Sequence, residues 1–250
     1  MSDPGIAPPY GDHVEPDAAG ALPRADPAAV AAALERAAEL GPYFRLDGPS
    51  PRARPLPDLY PALPALVDDH ARRLGTSERR VAASILFQDI AARLWSPVIS
   101  CALDGVLLDL DELRCSPAPV RLHLLRSRGW LLPSHPAGLV VDAVLGRHLV
   151  PLGRALRSVV RIAEGLLLGN AASALLGTVV VTELGGRCGA RALAESLLEL
   201  PLLHGIGLID PGGAFRRTSC CLYYRVPGGG RCGDCPLPTV PQRPRPPRVP

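Results

Sequence analysis

Residues 164–184 read Glu-Gly-Leu-Leu-Leu-Gly-Asn-Ala-Ala-Ser-Ala-Leu-Leu-Gly-Thr-Val-Val-Val-Thr-Glu-Leu, and the fold class turns on this stretch. From Gly165 to Thr182 it carries no charge over 18 residues, which reaches the lower limit for a bilayer-spanning helix. Against a span stand three glycines, Asn170, Ser173 and Thr178 within it, and neighbours that supply neither an aromatic belt nor a second span. The segment therefore reads as a buried helix of a globular body, running into a Val179-Val180-Val181 strand. Asn170 is conspicuous there, because an unpaired buried amide costs roughly 1 to 3 kcal/mol; it is expected to cap or bond backbone.

Working outward, a helix is expected after Gly189, through Leu197 and Leu198, ending at Pro201. On the N-terminal side, Val141, Val144, Leu145, His148, Leu149, Leu152 and Leu156 recur at helical spacing, with Pro151 as a kink. Between them and the front of the chain, Val106-Leu107-Leu108 and Val120–Leu124 are short apolar runs bounded by Pro and Gly, and read as strands. Asp26-Pro27 is an N-cap and first-turn pair for a helix through Leu40, which Gly41 terminates. A second helix is predicted over Asp58–Leu74. A third, capped by Thr76 or Ser77, puts Ala83, Phe87, Ile90 and Leu94 on one face before Pro97.

The expected class is α+β: a mainly helical body with a few short strands and a loop-rich C-terminal segment. Residues 1–25 read as a disordered N-terminal segment, 26–213 as the body, 214–236 as the C-terminal segment and 237–250 as a disordered Pro/Arg tail. A boundary inside the body near 133–138 is an option, since Pro133, Pro136 and Gly138 break the pattern there.

At 250 residues and 47% hydrophobic content the chain can bury a sizeable core. All 27 basic residues are Arg, scattered among 24 acidic ones for a formal charge of +3, and aromatics are only 4%. Nucleic-acid binding wants a clustered basic stripe with stacking aromatics, so that partner is not expected. Met1–Asp17 has neither basic residues nor an apolar run, so no secretory signal is read and a reducing compartment is expected. No phosphate-binding Gly-x-x-x-x-Gly-Lys-Ser/Thr or Gly-x-Ser-x-Gly occurs, and Gly228–Gly233 fits Gly-x-Gly-x-x-Gly but opens no helix.

The chemistry concentrates near the C-terminus, in Cys220-Cys221 and Cys232-x-x-Cys235. Four thiols within 16 residues in a reducing compartment ligate metal or do redox chemistry. Adjacent cysteines on extended backbone point to opposite faces and close poorly on one ion, whereas zinc prefers looser Cys-x(2-4)-Cys pairs. A 2Fe-2S rhomb is wider and takes two thiolates on each iron, so the spacing favours iron-sulfur, with zinc the alternative. Cys101, Cys115 and Cys188 read as structural. The six histidines show no paired ligand spacing, so a structural role is expected for His123 and His204, and four cysteines leave no need for a two-histidine Rieske arrangement. Asp109, Asp111 and Glu112 read as a solvated turn. Arg216, Arg217, Arg225 and Arg231 bracket the thiols and are candidates to offset cluster charge or hold an anionic substrate, while Tyr223 and Tyr224 either cover the cluster or point into the core.

On these residues the chain resembles the FhuF-like ferric-siderophore reductases, whose mark is Cys-Cys-x10-Cys-x2-Cys; Cys220, Cys221, Cys232 and Cys235 match it without a gap. Tyr224-Arg225, Gly228-Gly229-Gly230 and Gly233-Asp234 extend the likeness, and Leu168–Ser173 adds a weaker one. The resemblance implies a cytoplasmic protein whose four cysteines hold a 2Fe-2S cluster and which passes single electrons to Fe(III) in an imported siderophore. Electrons would come from a separate carrier, a ferredoxin or flavin reductase system, since no nicotinamide or flavin fingerprint is present. No stable membrane span is expected, and peripheral association stays open. Two other readings remain: a zinc-stapled interaction module, and an iron-sulfur sensor or electron-transfer protein without siderophore activity.

Overall fold

The computed structural model describes residues 22–117 and 119–239. Helix α1 (Pro27–Glu39) starts where Asp26 accepts a hydrogen bond from the Ala28 amide at 2.8 Å and stops before Gly41, which takes φ 138°. The predicted second helix is split. Leu56–Ala62 is a 3-10 turn and only Leu63–Leu74 is α-helical (α2), because Pro61 and Pro64 lack the amides that an uninterrupted i→i−4 ladder would need.

Helix α3 (Arg79–Ala102) runs on through Pro97. Most of its length, Pro97 included, is buried, and this packing outweighs the roughly 3 kcal/mol that a helical proline costs. Two antiparallel sheets follow. β1 (Arg54–Pro55), β3 (Leu113–Pro117) and β4 (Val120–Leu124) lie in the order β1-β3-β4, and β2 (Val106–Leu108) pairs with β5 (Gly129–Leu131). The two predicted strands are β2 and β4. Residues 22–25, expected to belong to a disordered segment, instead dress β5: the Leu131 amide donates to Pro23 O, the Ala25 amide donates to Gly129 O, and Arg24 lies over the Trp130 ring at 5.0 Å. The rest of that segment, and residues 240–250 of the tail, lie outside the described residues.

Residues 137–159 form one helical run, α4 (Ala137–Val141) and α5 (Val150–Val159), joined by a π-helical stretch over Asp142–Leu149. Pro151 cannot donate to an earlier carbonyl, and the wider turns ahead of it are the form the expected kink takes.

The deciding stretch is a single helix, α6 (Glu164–Leu184). The expected Val179–Val181 strand does not form. By length and composition α6 could cross a membrane, yet 61% of its apolar window is buried inside the fold. It packs on α3 through three polar pairs: Asn170 with Ser84, Ser173 with Gln88 at 3.1 Å, and Thr178 with Ser96 at 3.1 Å. Residue numbers rise together along both helices, so they run in the same direction. Helix α7 (Ala190–Leu198) and the hairpin β6 (Gly207–Ile209)–β7 (Phe215–Arg217) complete the order, and one hydrophobic cluster includes residues on both sides of 133–138.

Candidate iron-sulfur site

Burial alternates along β7: Phe215 points in, Arg216 out and Arg217 in. The chain then crosses α6 at Gly169, where any side chain would strike Ser219, and Ser219 Oγ donates to Gly165 O at 3.0 Å. This close approach gives the glycine in Leu168–Ser173 its reason. Leu222 follows the cysteine pair in the left-handed region at φ 68°, costly for a branched residue, and its amide donates to Cys220 Sγ at 3.3 Å. A 3-10 turn over Tyr223–Arg225 and a reversal at Gly228 (φ 73°) bring the chain back to Cys232, whose carbonyl accepts from the Cys235 amide.

Cys221 Sγ and Cys232 Sγ approach to 3.5 Å. Two thiolates on one tetrahedral ion with bonds of about 2.3 Å lie about 3.8 Å apart, so this pair is spaced to share a metal. Cys221 and Cys235 are buried, Cys220 and Cys232 half-buried, and all four are free thiols. Sharing a proton between the two sulfurs pulls Cys221 down to about 6 and pushes Cys232 up, whereas burial raises Cys220. Among the described residues no three Cys, His, Asp or Glu side chains converge on one ion position. The soft, all-thiol donor set fits a two-iron rhomb chemically.

Residues 217–237 match the family model of the FhuF 2Fe-2S C-terminal domain. The C-terminal segment is thus similar to the FhuF 2Fe-2S C-terminal domain. Its cofactor is therefore a 2Fe-2S cluster, and the zinc alternative falls. The FhuF match leaves the helical body outside it, and no curated protein matches the chain.

Behind the four thiols lies a buried polar cluster. The Arg217 side chain has no solvent exposure; Nε and Nη2 grip the Asp234 carboxylate at 2.8 and 2.9 Å, Nη1 donates to Asn170 Oδ1 at 2.6 Å, and Nη2 also donates to Ser173 Oγ at 2.5 Å. Asn170 Nδ2 donates to Ser84 O and Ser84 Oγ, and Ser84 Oγ donates to Cys221 O at 2.7 Å. Burial opposes the Arg217 charge, but Asp234, Cys221 and Cys232 more than offset it, and its pKa rises; Asp234 is correspondingly lowered despite its own burial. The sequence reading placed Arg217 with the substrate arginines, and the structure corrects that: an enclosed guanidinium cannot meet a substrate at the rim. Arg225 turns to Glu78 at 2.8 Å, while Arg216 and Arg231 stay exposed.

Tyr223 is 40% exposed and no residue of the Tyr223–Arg225 turn is buried, so neither tyrosine points into the core. His123 bonds Ser116 Oγ and Gly48 O, and His204 sits in solvent beside Glu199. Asp109, Asp111 and Glu112 pair with Arg24, Arg147 and Arg126 at the surface. Burial pushes the Cys101 and Cys115 thiols up to about 12, which leaves them inert packing groups, and Cys188 is exposed.

Sequence reasoning missed a cavity of about 680 Å³ that opens beside Cys232–Asp234. Tyr43, Phe44, Gly177, Val180, Val181 and Phe215 are among its walls, so it is mainly apolar. Its charged walls are compensated: Asp234 by Arg217, and Arg191 by Glu183 at 2.9 Å. Arg216, Arg225 and Arg231 are not among its lining residues. Small residues at cavity-facing positions of α6, Ala174 and Gly177, were the available signal.

Proposed function

We propose that this protein is a ferric-siderophore reductase that releases Fe(II) from imported chelates by one-electron transfer. Bound at the four cysteines, the cluster supplies one electron at a time at low potential. Fe(III) held by hard oxygen ligands accepts that electron and becomes Fe(II), which such ligands hold less tightly. The observation that carries the reading is the apolar cavity, within the usual 300–1,000 Å³ of small-molecule sites, with Cys232 in its wall. Tyr43, Val180 and Val181 offer the chelate's organic periphery an apolar seat at the mouth, and the compensated walls suit a chelate of low net charge.

Electrons come from a separate ferredoxin or flavin reductase system, and the reaction belongs in the cytoplasm, where thiols stay reduced and imported chelates arrive. The test is anaerobic. Chemically reduced protein, characterised for iron and acid-labile sulfide, is mixed in stopped flow with ferric chelates, and both the return of visible absorbance and trapped Fe(II) are followed. Matching amounts of reoxidised cluster and Fe(II) are expected. A reducible cluster that ferric chelates fail to reoxidise would replace this reading with that of a sensor or electron-transfer protein.

A further inference from the structure

The Arg217 cluster closes a ring that joins both halves of the cysteine motif through the helical body. From the Cys232-x-x-Cys235 side, Asp234 is held by Arg217; from the Cys220-Cys221 side, Cys221 O is held by Ser84; Asn170 of α6 connects the two. Every hydrogen in this chain has its direction fixed. A guanidinium can only donate, so Asn170 must present its oxygen to Arg217 and its amide nitrogen to Ser84. The Ser84 carbonyl can only accept, which excludes the flipped amide, and Ser84 Oγ, already accepting from Asn170, passes its own proton to Cys221 O. The bonds from Arg217 to Cys221 thus align head to tail, the arrangement in which neighbouring hydrogen bonds strengthen one another.

Stability alone is a poor reason for this design. A buried ion pair seldom outperforms well-packed apolar residues, and here a full guanidinium is desolvated beside thiols that need no cation as long as they stay protonated. The cation acquires a purpose when the thiols become thiolates. Two ferric ions, two sulfides and four thiolates sum to a dianion, and the one-electron reduced form is a trianion. A fixed positive charge interacts more strongly with the trianion than with the dianion.

We propose that Arg217 is the electrostatic and positioning residue of the cluster: its buried cation favours the reduced state, and through Asn170 and Ser84 it fixes Cys221 and the Cys232–Cys235 loop in one frame. This rests on the cluster assignment and is independent of the substrate.

The test is a potentiometric titration of the cluster-loaded protein with EPR of the reduced state, in the absence of any chelate. Arg217→Met is expected to lower the midpoint, cutting the reduced-to-oxidised ratio at the wild-type midpoint at least tenfold, which is a shift of about 59 mV for one electron. Arg217→Lys, which keeps the charge, should recover most of it. Asp234→Asn should move the midpoint the other way, because it removes a compensating negative charge. Ser84→Ala carries no charge change; it should leave the midpoint nearly in place but alter the EPR line shape and speed cluster loss. A purely structural role would shift Arg217→Met and Asp234→Asn in the same direction or neither, and that result overturns the proposal. If Arg217→Met does not fold, the sign of the Asp234→Asn shift and the Arg217→Lys midpoint still decide it: a negative shift in the former, or a tenfold loss in the latter, would refute it.

Discussion

Gly177 gives the cavity its sharpest test. It lies in the interior of α6, faces the cavity and has an ordinary helical φ, and a Cβ added there meets no atom of the described residues within 4 Å. Glycine in a helix interior is about 0.8–1.0 kcal/mol worse than alanine, so this position gives up stability that nothing in the local packing demands. Gly177→Ala should therefore stabilise the protein by about 1 kcal/mol, which for a chain of this size raises Tm by about 2–4 °C. Gly177→Phe should be no less stable than the natural protein, because its ring enters open, apolar space, and it should leave the cluster absorbance and midpoint unchanged. Yet it should slow reoxidation of the reduced cluster by ferric chelates, since the ring occupies the proposed seat. Calorimetry, visible spectra and stopped-flow rates on the three proteins separate these effects. If Gly177→Phe is stable, holds its cluster and reacts with chelates at the natural rate, the cavity is not where the chelate sits.

Replacing Cys220, Cys221, Cys232 or Cys235 singly by Ser should each cost iron and sulfide, whereas Ser at Cys101, Cys115 or Cys188 should leave both intact; chemical analysis of the purified variants decides it. Arg216 and Arg231 lie outside the cavity and are exposed, so any steering of anionic chelates by them acts through solvent. Added salt should then slow reoxidation by an anionic chelate more than by a neutral one, because screening shortens their reach to about 8–10 Å, and Arg216→Ala should flatten that dependence in stopped flow. His148 on the π-helical stretch has its Nε2 sealed without a partner among the described residues, and burial lowers its pKa from 6.5 to about 4 against weaker opposing pulls from Asp111 and Asp142. The unfolded chain therefore binds the proton first, so stability is complete above pH 6.5 and falls by about 2–3 kcal/mol as pH drops to 4; urea titrations of His148→Leu should lack that part of the decline.

The four thiols were legible as a candidate ligand set because they are local: their spacing along the chain carries the chemistry. Their support was not, since Ser84 and Cys221 meet across the whole fold. Asn170 was visible as a buried amide in need of a partner, and it does bond backbone at Ser84 O, but its second partner, Arg217, was not foreseen. A signal did exist, because period-two alternation puts Arg217 on the same face as Phe215. Two of the overturned secondary-structure expectations share one cause. Pro97 and the Val179–Val181 run each carry a local preference against helix, and burial of α3 against α6 overrode both. In α2 nothing overrode the prolines, and the chain obeyed them.

Helix α6 also acts as a ruler. Asn170, Ser173, Gly177 and Val181 follow at spacings of three and four, so a single stripe first anchors the cluster's arginine and then floors the cavity. Seven residues separate Asn170 from Gly177, about 10 Å along the axis, and no hinge lies between them. The spacing between the Arg217 anchor and the cavity floor is thus written into the pitch of one helix. One residue inserted after Ser173 would swing the cavity floor by about 100° away from an otherwise intact metal site.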